Sequence, residues 1–269
     1  GYVGADIVAG VAALDIDRQE GIKLLVDIGT NNEIVIGGSK GMFCCATAAG
    51  PALEGARIQY GMRACVGAIE KVTLEEGILT CRTIGGEAPK GLCGSGLIDA
   101  IALLLNEGII NKSGRFEYPE KCRDERFRER LGRSEGGMVR LLLTDDEHPI
   151  YLTQKDIREV QLAVGAVKVG VEVMLEQAGI TKDEIAEVCL AGAFGNNIDI
   201  ESAARVGLIP DVERTKIHGV KNTSGLGACL SLADARFYER TKETAQKMSY
   251  VELSSLPDFQ KRFVNAMSF

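Results

Sequence analysis

Apolar residues along the chain predict one clear β-hairpin near its start. Three β-favouring residues at 24–26 precede Asp27, and three more at 34–36 follow a mostly polar stretch. This pattern predicts two strands joined by a tight reversal at 29–32. We expect Gly29 to supply the unusual backbone angles of this turn, because glycine has no side chain to clash.

Helical and strand-like periods alternate along the rest of the chain. They predict, in order, a short helix within 1–13, strands at 42–46, 61–69, 70–74 and 78–84, an apolar helix over 97–105, a long amphipathic helix within 153–179, a short helix after 181, a buried strand at 188–191, a helix from 222 to about 238, and a peripheral strand and helix within 248–269. Thr153 and Asp156 resemble a capping box at the start of the long helix. Gly165 and Gly170 within that helix indicate close contact with a neighbour. The alternation predicts an α/β fold.

A charged segment interrupts the apolar pattern near 112–140. It mixes basic and acidic residues and holds few apolar ones, which is typical of a solvated surface excursion. The apolar pattern resumes at 139–143, so the segment does not mark a boundary between independent domains. We therefore expect one lobe over 1–269 with this excursion on its surface.

Composition argues against several classes of partner. The 269 residues are 45% hydrophobic, enough for a sizeable core in one large domain or two closely joined lobes. A net charge of −7, with 31 basic and 38 acidic residues and no basic block, argues against a nucleic-acid partner. No apolar run approaches the ~18 residues that span a bilayer, and no signal-peptide pattern is present, so we expect no membrane association and a cytoplasmic location.

The eight cysteines are interpreted as reduced thiols of the core. They include no C-x-x-C pair, and several lie in apolar runs where a small hydrophobic residue is expected. Iron–sulfur clusters need thiolates that converge from suitable loops, so we expect no cluster in this chain.

The hairpin turn is the first candidate for chemistry. Successive backbone N–H groups in such a turn form a concavity that fits an anion, and a carboxylate at the strand end can hold the water shell of a metal ion. Asp27 is that carboxylate. The same stretch is also typical of an ordinary hairpin in which Asp27 hydrogen-bonds the turn, and the residues alone leave both interpretations open.

Two more glycine-rich stretches are candidates for ligand contact. Gly94, Ser95 and Gly96 open an apolar helix, where free N–H groups favour an anion or the close approach of a ligand. The alternative is a helix cap that permits tight packing, with Cys93 as a structural residue. The stretch 192–195 follows a buried strand, at the position where ligands collect in α/β sheets.

The order of these stretches resembles a known ATPase superfamily. Asp27-x-Gly-Thr, residues 192–195 and Gly225-x-Gly227 each follow a strand, as in the second lobe of actin, Hsp70 and the sugar kinases. Four stretches narrow the resemblance to the C-terminal domain of the reductive activators of corrinoid proteins: AAGPALEGA at 48–56, GMRA at 61–64, LCGSGLID at 92–99 and LAGAFG at 190–195. The resemblance covers nearly the whole chain.

The resemblance implies a ribonuclease H-like ATPase lobe, with a mixed sheet and flanking helices. It implies an ATPase that drives a low-potential electron onto the oxidised corrinoid of a partner protein. This transfer would return the corrinoid to the Co(I) state in methyl-transfer metabolism. The electron would come through an N-terminal iron–sulfur domain. This sequence holds neither such a motif nor an earlier Asp-x-Gly-Thr hairpin, so we interpret it as a C-terminal fragment of a longer protein.

The resemblance also implies roles for individual residues. Asp27 would help orient Mg²⁺ and the attacking water. The β- and γ-phosphates of ATP would be held by the amides of Gly29, Thr30, Asn31 and Asn32. The adenosine would lie against Gly192, Ala193, Phe194 and Gly195, and its base or ribose would be approached by Gly94, Ser95 and Gly96. Catalysis of this kind rests on positioning and charge stabilisation, so no covalent nucleophile is expected.

Two other functions stay compatible with the sequence. A small-metabolite kinase of the same superfamily would keep the ATP site. A non-catalytic docking or dimerisation module would fit the missing first hairpin and the absence of an evident general base. If the chain is part of a corrinoid activator, we expect a corrinoid protein as its partner, a homodimer, and little ATP turnover by this chain alone.

Overall fold

The computed structural model describes residues 3–195 and 197–269, apart from the side chains of Ala193 and Phe194. These residues form two compact units, each composed of several chain segments. Unit 1 draws on Gly1–Ala48, Ala166–Asn197 and Ile209–Phe263, and unit 2 on Ala49–Gly165, Ile198–Leu208 and Val264–Phe269. Gly1, Tyr2 and Asn196 lie outside the described residues.

The regular elements alternate along the chain as predicted for an α/β protein. The strands are β1 Ile22–Asp27, β2 Asn31–Gly38, β3 Gly41–Ala48, β4 Ala68–Glu75, β5 Ile78–Thr83, β6 Gly91–Leu92, β7 Leu131–Arg133, β8 Val139–Thr144, β9 Ile150–Thr153, β10 Ile185–Ala191, β11 Ile217–Lys221 and β12 Met248–Tyr250. The helices are α1 Ala5–Ala13, α2 Gly94–Asn106, α3 Glu125–Arg128, α4 Gln154–Ala178, α5 Gly192–Gly195, α6 Ile200–Val206, α7 Thr223–Ala233, α8 Ala235–Gln246 and α9 Phe259–Ala266. Within these described ranges, no helix has the length and apolar character needed to cross a membrane.

Unit 1 is built on a sheet with the strand order β11-β10-β1-β2-β3-β12. β2 pairs antiparallel with both β1 and β3. β10 pairs parallel with β1, β11 with β10, and β12 with β3. The mixed sheet with helices around it confirms the predicted fold class.

Helices cover both faces of the unit 1 sheet, which explains why β1 is apolar without alternation. On one face, Leu25 and Val35 pack with Ile7 and Val11 of α1 in a fully buried cluster. On the other face, a Cβ added at Gly170 of α4 would lie within 3 Å of side chains on β2 and β3. The close contact predicted at this glycine is therefore confirmed.

The helix predicted over 222–238 is two helices, α7 and α8. The chain breaks at Asp234, whose side chain accepts a hydrogen bond from the Arg236 N–H at 2.9 Å and so caps α8. α7 lies against α1, and a Cβ on Gly227 would overlap the Ala9 carbonyl oxygen. Glycine at this position allows the two helix backbones to touch.

Unit 2 holds two small sheets, with the strand orders β5-β4-β6 and β7-β8-β9. The hairpin of β4 and β5 confirms the strands predicted around the turn at 75–77. The strand predicted over 61–69 is wrong for 61–67, since within that described stretch only an isolated bridge joins Gly61 to Leu92, and its last two residues belong to β4. The positive φ of 88° at Gly67 and the crowded backbone around Gly61 prevent a regular strand there.

The charged segment 112–140 is partly ordered rather than uniformly solvated. It contains α3, β7 and the start of β8, and Phe127 at its centre is fully buried. Around Phe127 the charges pair locally, as in the contacts of Arg126 with Asp124 and Glu107. Phe116, Cys122 and Leu131 are buried as well, so a few apolar residues anchor this charged segment.

α4 begins at the predicted capping box. The Thr153 N–H and hydroxyl donate to Asp156 Oδ2 at 2.9 and 2.7 Å, and the Gln59 N–H donates to Asp156 Oδ1 at 2.8 Å. The carboxylate is fully buried, and both its oxygens accept hydrogen bonds. Asp156 therefore caps the helix and also fixes the loop that carries Gln59.

Candidate functional site

Three parallel strands of unit 1 end at one edge of the sheet. Asp27 at the end of β1 pairs in register with Ala191 at the end of β10, and Ala191 pairs with Lys221 at the end of β11. The carboxyl ends of parallel strands are where ligands collect in α/β sheets. The predicted phosphate hairpin and the predicted adenosine segment therefore share this edge.

The hairpin and the adenosine segment are in direct contact. The Ile28 N–H donates to the Ala191 carbonyl at 3.2 Å. Gly192 has a φ of 85°, and a Cβ added to it would lie 2.6 Å from the Ile28 carbonyl oxygen and 2.7 Å from Asp27 Oδ1. Both the backbone angle and the lack of space require glycine here, because a side chain would displace the carboxylate.

Of the predicted adenosine segment, the structure describes the backbone of α5, whose first and last residues are Gly192 and Gly195. Gly192 is half-buried and Gly195 is buried against Leu190. The side chains of Ala193 and Phe194 lie outside the described residues.

The turn of the hairpin differs from the prediction. The chain reverses at 28–30, while Asn31 and Asn32 already belong to β2 and pair with Ala48 and Thr47. Gly29 does not adopt a positive φ, so the expectation that it supplies unusual angles is wrong. The turn is closed instead by a side chain: the Gly29 N–H donates to Asn32 Oδ1 at 3.1 Å.

Sequence reasoning missed Glu33 as part of this site. Glu33 pairs in register with Asp27 across the hairpin, so the two side chains lie on one face of the sheet. Burial, and then the carboxylates of Asp27 and Asp6, raise the pKa of Glu33 to about 7. Burial, and then Asp6, also raise the pKa of Asp27. The predicted reversal at 29–32 would place Glu33 opposite Ile28, and only the observed reversal at 28–30 places it opposite Asp27.

The carboxylates of Asp27 and Glu33 fit a cation that is held mainly by other ligands. In the described part of the chain, no three His, Cys, Asp or Glu side chains form a cage for a metal ion. Mg²⁺ commonly uses one or two carboxylates, several waters and the phosphates of a nucleotide. The two half-buried carboxyl groups with raised pKa values match that mode, since a nearby cation would favour their charged forms.

The segment 94–96, predicted to approach the base or ribose, belongs to unit 2 and is helical. Gly94, Ser95 and Gly96 form the first turn of α2, where the sequence suggested a loop before the helix. A Cβ on Gly96 would overlap the Ile69 carbonyl oxygen, and the Cys93 thiol donates to that same oxygen at 3.2 Å. Gly96 and Cys93 therefore both pack closely against β4.

A family model described as the C-terminal domain of RACo, the ASKHA domain, matches residues 21–269. The corrinoid activation enzyme RamQ of Eubacterium limosum is 38% identical over 98% of this chain and 45% of its own length. The reductase of the Co(II) methylated amine-specific corrinoid protein of Methanosarcina barkeri is 28% identical over 82% of this chain and 41% of its own length. A solved structure of a reductive activator for corrinoid, iron-sulfur protein superposes with a TM-score of 0.88 at 37% identity, covering 100% of this chain and 43% of that one. The chain thus spans less than half the length of these relatives.

Proposed function

The chain belongs to the family of the C-terminal ASKHA domain of RACo, as its motifs indicated, and from this premise we propose that it supplies part of the nucleotide site of an ATP-dependent corrinoid activator. The full-length protein would return the oxidised corrinoid of a partner protein to the Co(I) state. In that step Co(II) would gain one electron, which a reduced iron–sulfur centre of the full-length protein would supply. ATP hydrolysis would drive this unfavourable transfer.

One observation carries the proposal: the contact between Asp27 and Gly192. It joins a carboxylate suited to a hydrated cation with the glycine that begins the α5 segment, the proposed adenosine site, at the ligand-binding edge of the sheet. An ATP molecule with its Mg²⁺ needs both features side by side. The relatives' names supply the corrinoid protein as the partner class.

The proposed roles follow from these positions. Asp27 would orient the attacking water and the hydrated Mg²⁺, which when bound neutralises phosphate charge. The turn at Gly29, Thr30, Asn31 and Asn32 would hold the phosphates, and the α5 segment would bed the adenosine. Positioned donors of this kind contribute mainly by stabilising charge that develops in the transition state.

We further propose that the protein acts as a homodimer in the cytoplasm, and that Gly94, Ser95 and Gly96 approach the base or ribose. The isolated chain would bind nucleotide weakly and turn it over slowly, because one phosphate hairpin stands where the superfamily uses two.

The test uses the full-length protein with its corrinoid protein, a reductant and MgATP under anaerobic conditions. Co(I) formation, followed by absorbance, should require ATP and should fall by about a hundredfold or more in Asp27→Asn, which keeps the shape and removes the charge. Asp211→Asn is the matched control, because the Asp211 carboxylate is largely exposed in the same unit. Unchanged rates in Asp27→Asn would refute the role of this carboxylate.

Two other results would redirect the proposal. Phosphorylation of a small metabolite without corrinoid reduction would identify a kinase of the same superfamily. A full-length protein that binds no nucleotide would indicate a docking or dimerisation module.

A further inference from the structure

The shape of the hairpin turn depends on one buried side chain. No residue of the turn at 28–32 adopts a left-handed backbone, so glycine flexibility does not produce the reversal. The bond from the Gly29 N–H to Asn32 Oδ1 closes the turn at 3.1 Å. Asn32 itself is fully buried, whereas its neighbour Asn31 is exposed.

Asn32 is held by the sheet rather than by the turn. It pairs in register with Thr47 of β3, and the Thr47 hydroxyl donates to the Asn32 carbonyl oxygen at 3.5 Å. Thr47 is itself buried. The acceptor for the Gly29 N–H is therefore attached to a rigid element, which fixes the turn from its own second strand.

An amide side chain at position 32 leaves one buried donor unpaired but adds no charge to the turn. Asn32 Nδ2 is buried and has no hydrogen-bond partner, and leaving such a donor unpaired is unfavourable. A carboxylate would still accept from Gly29 and would leave no N–H group unpaired. It would also place a negative charge in the turn, where a phosphate could not be tolerated nearby.

We propose that the Asn32 side chain is a positioning residue for phosphate: a neutral acceptor that shapes the turn without repelling an anion. This inference rests on the proposed nucleotide site. It assigns to the side chain a task different from that of the backbone amides. It concerns only the phosphate end of the ligand, since the adenosine is assigned to the α5 segment.

The test compares two probes, ADP and adenosine, by calorimetric titration of the full-length protein in the presence of Mg²⁺. Asn32→Ala removes the acceptor and should lower the affinity for ADP by about tenfold, which is the effect of one preorganising hydrogen bond. Asn32→Asp keeps the acceptor and adds charge, and should lower it by at least about thirtyfold. The affinity for adenosine should stay within about twofold in both variants, because no phosphate is involved.

Asn222→Asp is the matched control. Asn222 accepts from the Gly225 N–H at 2.7 Å through the same atom, also across three residues, but it is exposed. The added charge is therefore screened, and the affinity for ADP should change by less than about threefold.

Three results would count against the inference in distinguishable ways. An unchanged affinity for ADP in Asn32→Asp would overturn it while leaving the nucleotide site intact. An equal loss of ADP and adenosine affinity would show that Asn32 only supports the fold, and the midpoint temperature of thermal unfolding would then also be lower in the variant. A wild-type full-length protein that binds neither ligand would overturn the proposed function itself, and this inference with it.

Discussion

Replacing Gly192 by alanine should separate the cost of a backbone angle from the cost of a contact. At a φ of 85°, an L-residue costs about 1 kcal/mol more than glycine. The new Cβ would also lie 2.6 Å from a backbone oxygen and 2.7 Å from the Asp27 carboxylate, so atoms must shift. Overpacking of this kind costs about 1–3 kcal/mol. We expect a total loss of about 2–4 kcal/mol in the free energy of unfolding.

Gly179→Ala provides the matched control within the same unit. Gly179 directly follows α4 and has a φ of 65°, and a Cβ there would meet nothing within 4 Å. Only the cost of the left-handed backbone angle applies at Gly179, so we expect a loss of about 1 kcal/mol in the free energy of unfolding. The difference between the two variants then measures the contact.

Urea unfolding followed by circular dichroism is the suitable assay, because the chain contains no tryptophan. The linear extrapolation gives the free energy of unfolding for each variant. Equal losses in the two variants would refute the reasoning, since they would mean that Gly192 does not touch the hairpin. A larger loss at Gly192, together with weaker ADP binding, would agree with a shared site.

Four other measurements test separate parts of the structure. The folded state binds the Glu33 proton more tightly than the unfolded state, because the pKa of Glu33 rises from 4.5 to about 7. The free energy of unfolding in metal-free buffer should therefore fall as pH rises from 4.5 to about 7. The fall should be less than about 1.4 kcal/mol per pH unit because the group is half exposed, and Glu33→Gln should flatten this pH dependence. Asp156→Ala should destabilise the chain by about 2–4 kcal/mol, because it leaves the Thr153 and Gln59 donors unpaired, and a loss near that of exposed Asp211→Ala would contradict this. An anaerobically purified chain should be colourless, whereas about four irons per chain would revive a role as an electron carrier. Phosphate release by the isolated chain should stay far below about 1 per second, and steady Mg²⁺-dependent turnover at that rate would show a complete active site.

Long periodic segments were predictable from the sequence. The capping box at Thr153 placed the start of α4 correctly, and the apolar runs around Asp27 placed β1 and β2. These features depend on neighbours in the chain, so local patterns record them. The family was predictable for a related reason, because several motifs at matched spacing are specific together.

The details of the site depended on contacts that local patterns do not record. The bond from Gly29 to Asn32 replaced the expected left-handed glycine, and no propensity distinguishes the two solutions. α2 begins at Gly94 rather than at Leu97, and its Gly96 packs on the Ile69 backbone, a contact distant in sequence. Glu33 became visible only when the hairpin register placed it opposite Asp27.

The contact at Gly192 has a thermodynamic consequence. Glycine at position 192 places the start of the α5 backbone beside Asp27, and the Ile28 N–H ties the hairpin to the neighbouring Ala191 carbonyl. A displacement of either segment is therefore transmitted to the other. Binding of a nucleoside at α5 and of a cation at Asp27 would be coupled, and linkage requires the coupling to be reciprocal: whatever factor the cation contributes to nucleoside affinity, the nucleoside contributes to cation affinity.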